Sequence, residues 1–146
     1  MKKVSKNKGF TLIEILVVIG IIAILATIVL VAINPARQFK QAHDSQRTSN
    51  VNAILNAIGQ YMVDNKGVVP SVITTTATNI GSGSSDIDLC NLLTPTYLPS
   101  LPVDPTTGNY TSCSSYNTGY KVMKDANGRI TVSAAPEILT SISVTR

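Results

Sequence analysis

Residues 1–33 read MKKVSKNKGFTLIEILVVIGIIAILATIVLVAI, and this stretch decides the architecture of the chain. Lys2, Lys3, Lys6 and Lys8 precede Gly9 and Phe10, and no charge occurs between Ile15 and Ile33. As a helix, that apolar run is long enough to cross a hydrocarbon core of about 30 Å. The flanking lysines hold their side at the cytoplasmic face. Glu14 stands at the threshold of the run, where a carboxylate is costly: about 2.5–3.5 kcal/mol for an acidic group at mid-helix. It therefore needs a partner.

The string Lys8-Gly9-Phe10-Thr11-Leu12-Ile13-Glu14 beside a long apolar run resembles the class III signal of type IV prepilins and of the pseudopilins of type II secretion. The resemblance implies that a membrane prepilin peptidase cleaves between Gly9 and Phe10 and N-methylates Phe10. It also implies an assembly role for Glu14, which would neutralise the new Phe10 amine of a neighbouring subunit. The implied fold is α+β: a long N-terminal helix, half transmembrane and half amphipathic, packed on a small C-terminal antiparallel β-sheet. On this reading 1–9 is the leader and 10–67 the helix, with 15–33 as membrane span and filament core. Residues 68–146 form the head.

Other targeting signals fit less well. A cleaved secretory signal wants a shorter apolar core followed by a small-residue site, whereas Ala23 and Ala26 sit mid-run. A lipoprotein signal needs a cysteine just after the run. A plain signal anchor fits the charges but leaves Gly9-Phe10 and Glu14 unexplained.

At 146 residues the chain has room for one domain and a targeting segment. Its formal charge of +4 suggests an acidic partner, but the four leader lysines account for all of it. Without them eight basic residues face eight acidic ones. Nucleic-acid binding is therefore not expected of a major subunit, and near-neutral subunits pack side by side with little repulsion.

Cys90 and Cys113 lie in the polar half. If that half is exported, a disulfide is the default reading; two free thiols are the alternative. Two cysteines and one distant histidine are too few for a structural zinc site.

Gly20 and Pro35 interrupt helix propensity, so a helix break is expected at each, with Asn34-Pro35 marking a bend where the helix leaves the membrane. Beyond it, Val51, Ile54, Leu55, Ile58, Tyr61 and Met62 recur at three- and four-residue steps, an amphipathic helical stripe. Arg37, Lys40, Asp44, Arg47 and Asp64 fall mainly off the stripe, and His43 reads as solvated. Lys66 and Gly67 make a helix stop. From Phe10 to Lys66 such a helix would be about 85 Å long at 1.5 Å per residue.

Ser71–Asp88, rich in Thr, Ser and Gly, reads as an exposed connecting loop. Leu89–Leu93 suits a short helical turn, and Tyr97–Pro105, with three prolines, is extended or turning. That segment also resembles the Y-L-P…L-P-x-D-P stretch ahead of the sheet in many pilins and major pseudopilins. Tyr120–Lys124 and Arg129–Ser133 flank Asp125-Ala126-Asn127-Gly128, a strong hairpin signal. Further strands are expected near Tyr110–Cys113 and at Ile142–Val144.

No nucleophile and base are paired in the sequence, so an enzyme is not expected. Asp86-x-Asp88 and Asp125-x-Asn127-Gly128 offer oxygen ligands of the kind calcium takes. A loop and a hairpin turn explain them more simply, so no metal and no cofactor are expected. Asn109-Tyr110-Thr111 matches the N-x-T acceptor pattern. The expectation is a structural subunit of a type IV pilus-like filament, single-pass in the cytoplasmic membrane as a precursor and extracellular once assembled. Its partners would be copies of itself, the prepilin peptidase, the pilus assembly platform and the membrane. The alternatives are a major pseudopilin, or a minor pilin that binds DNA or a surface.

Overall fold

The structure is a computed structural model that describes residues 9–146. Lys2, Lys3, Lys6, Lys8 and the rest of the leader before Gly9 lie outside the described residues. The chain divides into two compact units, meeting between Gln38 and Phe39.

The first unit holds α1 (Leu12–Ile33) and the opening turn of α2 (Pro35–Asp64). No residue of α1 is buried. Gly20 does not break it: the helix runs through without interruption, because one glycine costs only about 1 kcal/mol relative to alanine. The break falls at Asn34, whose φ of 49° is left-handed, a conformation asparagine tolerates better than most residues. Asn34 Oδ1 then accepts from Arg37 N at 3.3 Å. Pro35 takes the first helical position of α2, where its missing N–H costs no hydrogen bond.

The second unit is an α+β head. Val51, Ile54, Leu55, Ala57 and Ile58 of α2 are buried, and Tyr61 and Met62 pack beside them. Helix α2 ends at Asp64, and Lys66 and Gly67 turn the chain through positive φ. The remaining elements are β1 (Thr78–Gly81), α3 (Cys90–Leu93), β2 (Asn109–Ser112), β3 (Ser115–Lys124), β4 (Ile130–Ala134) and β5 (Ile142–Thr145). They form one five-stranded sheet in the order β1-β3-β4-β5, with β2 paired to the first part of β3. All the pairings are antiparallel.

Strand β3 alternates cleanly: Tyr116, Thr118, Tyr120 and Val122 face the core, as period-two geometry requires. Val122 lies opposite Val132, and Ile130 closes the same face beside Lys124. The hairpin turn is held by Asp125 Oδ1, which accepts from Asn127 N and Arg129 N, while Gly128 supplies the positive φ.

The expected Ser71–Asp88 loop requires correction. It contains β1, and Ile73, Ile80 and Ile87 are all buried. Ile80 and Ile87 meet in a parallel bridge, so the segment folds back on itself and caps one edge of the sheet. Isolated isoleucines among polar residues carry no periodicity, so the threonines and serines concealed the strand.

Candidate functional site: the N-terminal junction and the charged clasp

Two constellations carry polar chemistry, one in each unit. The first is the start of α1. Thr11 is the N-cap, with extended backbone. Its Oγ1 accepts from Glu14 N at 3.3 Å, and Glu14 Oε2 accepts from Thr11 N and Thr11 Oγ1, each at 2.7 Å. This reciprocal capping box satisfies two backbone donors that a helix start otherwise leaves open. The carboxylate also sits at the positive end of the helix dipole. The T-x-x-E signal is plain in the sequence, yet the sequence reading gave Glu14 only an intersubunit role. Phe10, next to Thr11 in the chain, is exposed, and so is Gly9.

The second constellation was missed. Asp44 and Arg47, one turn apart on α2, are only 1% and 3% exposed, not solvated. Arg47 Nη1 donates to Asp44 Oδ1 at 2.9 Å, and its Nε donates to Asp104 Oδ2 at 2.6 Å. Arg47 Nη2 reaches Asp104 Oδ1 and Thr106 Oγ1, and Nη1 lies 2.8 Å from Glu137. Asp44 in turn accepts from the amides of Glu137, Ile138 and Leu139 at 2.8, 2.8 and 3.0 Å. His43 is part-exposed and touches the same Glu137 at 3.0 Å.

The turn holding Asp104 comes close to β3 at Gly119. There φ is +75°, and an added Cβ would lie 2.8 Å from Asp104 Cβ. Burial pushes the Asp44 carboxyl up, but the three amides and Arg47 outweigh it and hold the group below the usual carboxylate range. For Asp104, burial is likewise overcome by Arg47 and by the Thr106 and Thr107 donors. Arg47 is held further toward its charged form by Asp104, against its own desolvation. A buried guanidinium with three carboxylates ties α2, the Asp104 turn and the 137–139 segment together. The sequence signal was Asp44-x-x-Arg47 together with Asp104 of the proline-rich stretch.

Cys90 of α3 and Cys113, just beyond β2, form a disulfide with Cα atoms 5.3 Å apart. The carboxylates of the two aspartate motifs accept hydrogen bonds from their own surroundings. Asp88 accepts from Tyr116 Oη and Cys90 N, Asp86 from Gly83 N, and Asp125 from its own turn and Arg129. Among the described residues no group of three His, Cys, Asp or Glu side chains converges. Asn109 lies exposed on β2.

Comparison with known proteins bears on the first constellation. The prokaryotic N-terminal methylation motif matches residues 4–30. The N-terminal segment thus carries a motif for N-terminal methylation. The type II secretion system core protein G of Escherichia coli is 40% identical over 65 residues, 44% of this chain and 43% of that protein. The type IV wide pilus major component PilA4 of Thermus thermophilus is 45% identical over 58 residues, 40% of this chain and 43% of the relative. Core protein G of Vibrio cholerae is 37% identical over 65 residues. The chain thus matches less than half the length of these relatives. No solved structure matches it.

Proposed function

We propose that the protein is a structural subunit of a type IV pilus-like filament, with no catalytic role and no cofactor. The single observation that carries this reading is α1: 22 residues, no buried side chain, and a match to the N-terminal methylation motif over residues 4–30. A helix apolar all round with nothing covering it needs a lipid or protein environment. The precursor would sit in the cytoplasmic membrane through α1, with its head outside. Cleavage between Gly9 and Phe10 and methylation of Phe10 would prepare the subunit for the assembly platform. Moving α1 from lipid to a filament core exchanges one apolar environment for another, so hydrophobic burial contributes little and packing sets the register. Glu14 would then exchange its Thr11 donors, at least in part, for the amine of a neighbouring Phe10.

The pseudopilin alternative draws support from the core protein G relatives, which are similar over as much of the chain as PilA4. Mass spectrometry of sheared surface material tests the primary reading. It should find an abundant chain beginning at methylated Phe10 and carrying the Cys90–Cys113 bond. A processed chain that stays in the envelope, with a secretion defect on deletion, would favour the pseudopilin. An unprocessed N-terminus would contradict both.

A further inference from the structure

The edges of the sheet are unequal. On one side β1 is covered: Ile87 N donates to Asn79 O at 2.8 Å, and Gly81 N donates to Ile87 O at 3.2 Å. Strand β2 offers only a short edge that shifts register between Tyr110 and Ser112. On the other side β5 is the last strand, and its pairing with β4 runs from Thr131–Thr145 to Ala134–Ile142 without a shift. Among the described residues no strand lies beyond it.

The hydrogen-bond parity of β5 follows from its end. Arg146 N donates to Ile130 O at 2.9 Å, and Ile130 N donates to Arg146 O at 2.7 Å. Such pairs alternate along an antiparallel ladder, so Val144 and Ile142 also bond to β4. The N–H and C=O groups of Ser143 and Thr145 therefore point the other way, along the bare edge. Both residues are exposed. Edge strands are usually guarded by charge, proline or a bulge. Here residues 138–145, ILTSISVT, hold no charge and no proline. In the isolated head water satisfies these groups, and nothing along the edge opposes a second strand.

The strand also complements itself. Turned antiparallel about Val144, a second β5 brings Ser143 opposite the partner's Thr145 and Thr145 opposite the partner's Ser143. Each of these pairs can exchange both N–H···O bonds. Val144 then meets the partner's Val144, and Ile142 meets the partner's Arg146. Serine–threonine and β-branched pairs of this kind are favourable, and no like charges stand opposite one another. We propose that β5 pairs in this register with β5 of a second copy of the chain, joining two heads through one continuous sheet. The contact is isologous, so it pairs two chains and closes. It concerns the head alone and does not rest on the filament reading.

Sedimentation of the full-length chain in detergent tests the pairing, since any association through α1 is common to every variant. The wild type should dimerise. Ser143→Lys with Thr145→Lys sets lysine against lysine in both pairs and should weaken the dimer by about tenfold. Ser143→Lys with Thr145→Glu sets each lysine against a glutamate and should restore it. An intact Cys90–Cys113 bond and unchanged circular dichroism certify the fold. Mixing Ser143→Cys chains with Thr145→Cys chains brings thiols onto Cα atoms about 5.5 Å apart, within disulfide reach. Oxidation should cross-link the mixture and give far less dimer from either variant alone.

A monomeric wild type overturns the proposal. So does a dimer that the lysine pairs leave unchanged, which assigns association to another surface. A dimer lost in both double variants, or cross-linked equally well by either cysteine variant alone, overturns the register and with it the pairing of β5 with itself.

Discussion

Helices α1 and α2 follow one another with a single residue between them, yet they solve opposite problems. Helix α1 is apolar on every face and buries none of it; α2 is largely polar and buries Val51, Ile54, Leu55 and Ile58 together with Asp44 and Arg47. Helix α2 packs its apolar stripe into the core of the head, whereas α1 buries no residue among those described. Helix α2 therefore contributes to the stability of the head, whereas on the filament reading α1 would carry the head to the membrane and join it to other subunits.

The largest effect should come from the clasp. Arg47→Ala leaves Asp44 and Asp104 buried without their cation, a loss of about 3–5 kcal/mol. Denaturant unfolding of the full chain in detergent, followed by the head's tyrosines, should show it, while Arg37→Ala on the exposed turn changes stability by less than about 0.5 kcal/mol. The same pair sets an acid limit. Both aspartates titrate below their unfolded values, so their contribution is complete above the ordinary aspartate value of about 3.9 and is lost as pH falls below it toward the depressed folded values. Stability of the wild-type head should therefore drop steeply below that value, and the Arg47→Ala head should show a shallower dependence.

The same chemical change made on both helices should have unequal effects. Ile54→Ala creates a cavity in the head core and should cost about 2–5 kcal/mol. Ile28→Ala should change unfolding of the head by less than about 0.5 kcal/mol and show its effect in filament yield. Equal costs for the two would mean that α1 is partnered within its own chain. Paired Cys90→Ser and Cys113→Ser substitutions should remove about 3 kcal/mol by the loop-entropy argument, detected as a lower denaturation midpoint that reductant no longer shifts.

Much of this was legible in the sequence, for reasons that differ by region. The all-apolar run announced α1 because a helix apolar on every face shows in composition alone, and Asp125-Ala126-Asn127-Gly128 announced its hairpin because positive φ demands particular residues. Strand β1 was hidden because only Ile80 of its four residues is a large apolar one. The clasp was hidden because charged residues on a helix ordinarily face water. Nothing local to Asp44 or Arg47 reports that Asp104, some sixty positions away, will be brought to them by the fold. Gly20 shows the reverse error: a weak helix former read as a break where the surrounding run keeps the helix intact.

On the filament reading, Glu14 acts between subunits through its charge and not only within one subunit as a helix cap. Glu14→Gln separates these roles, because glutamine at the third helical position keeps the capping box but cannot neutralise an amine. Filament yield from cells expressing Glu14→Gln, set against the amount of processed subunit in the membrane, is the deciding measurement. Cleaved chain in the membrane with few or no filaments is expected; wild-type filaments from Glu14→Gln would reduce Glu14 to a helix cap.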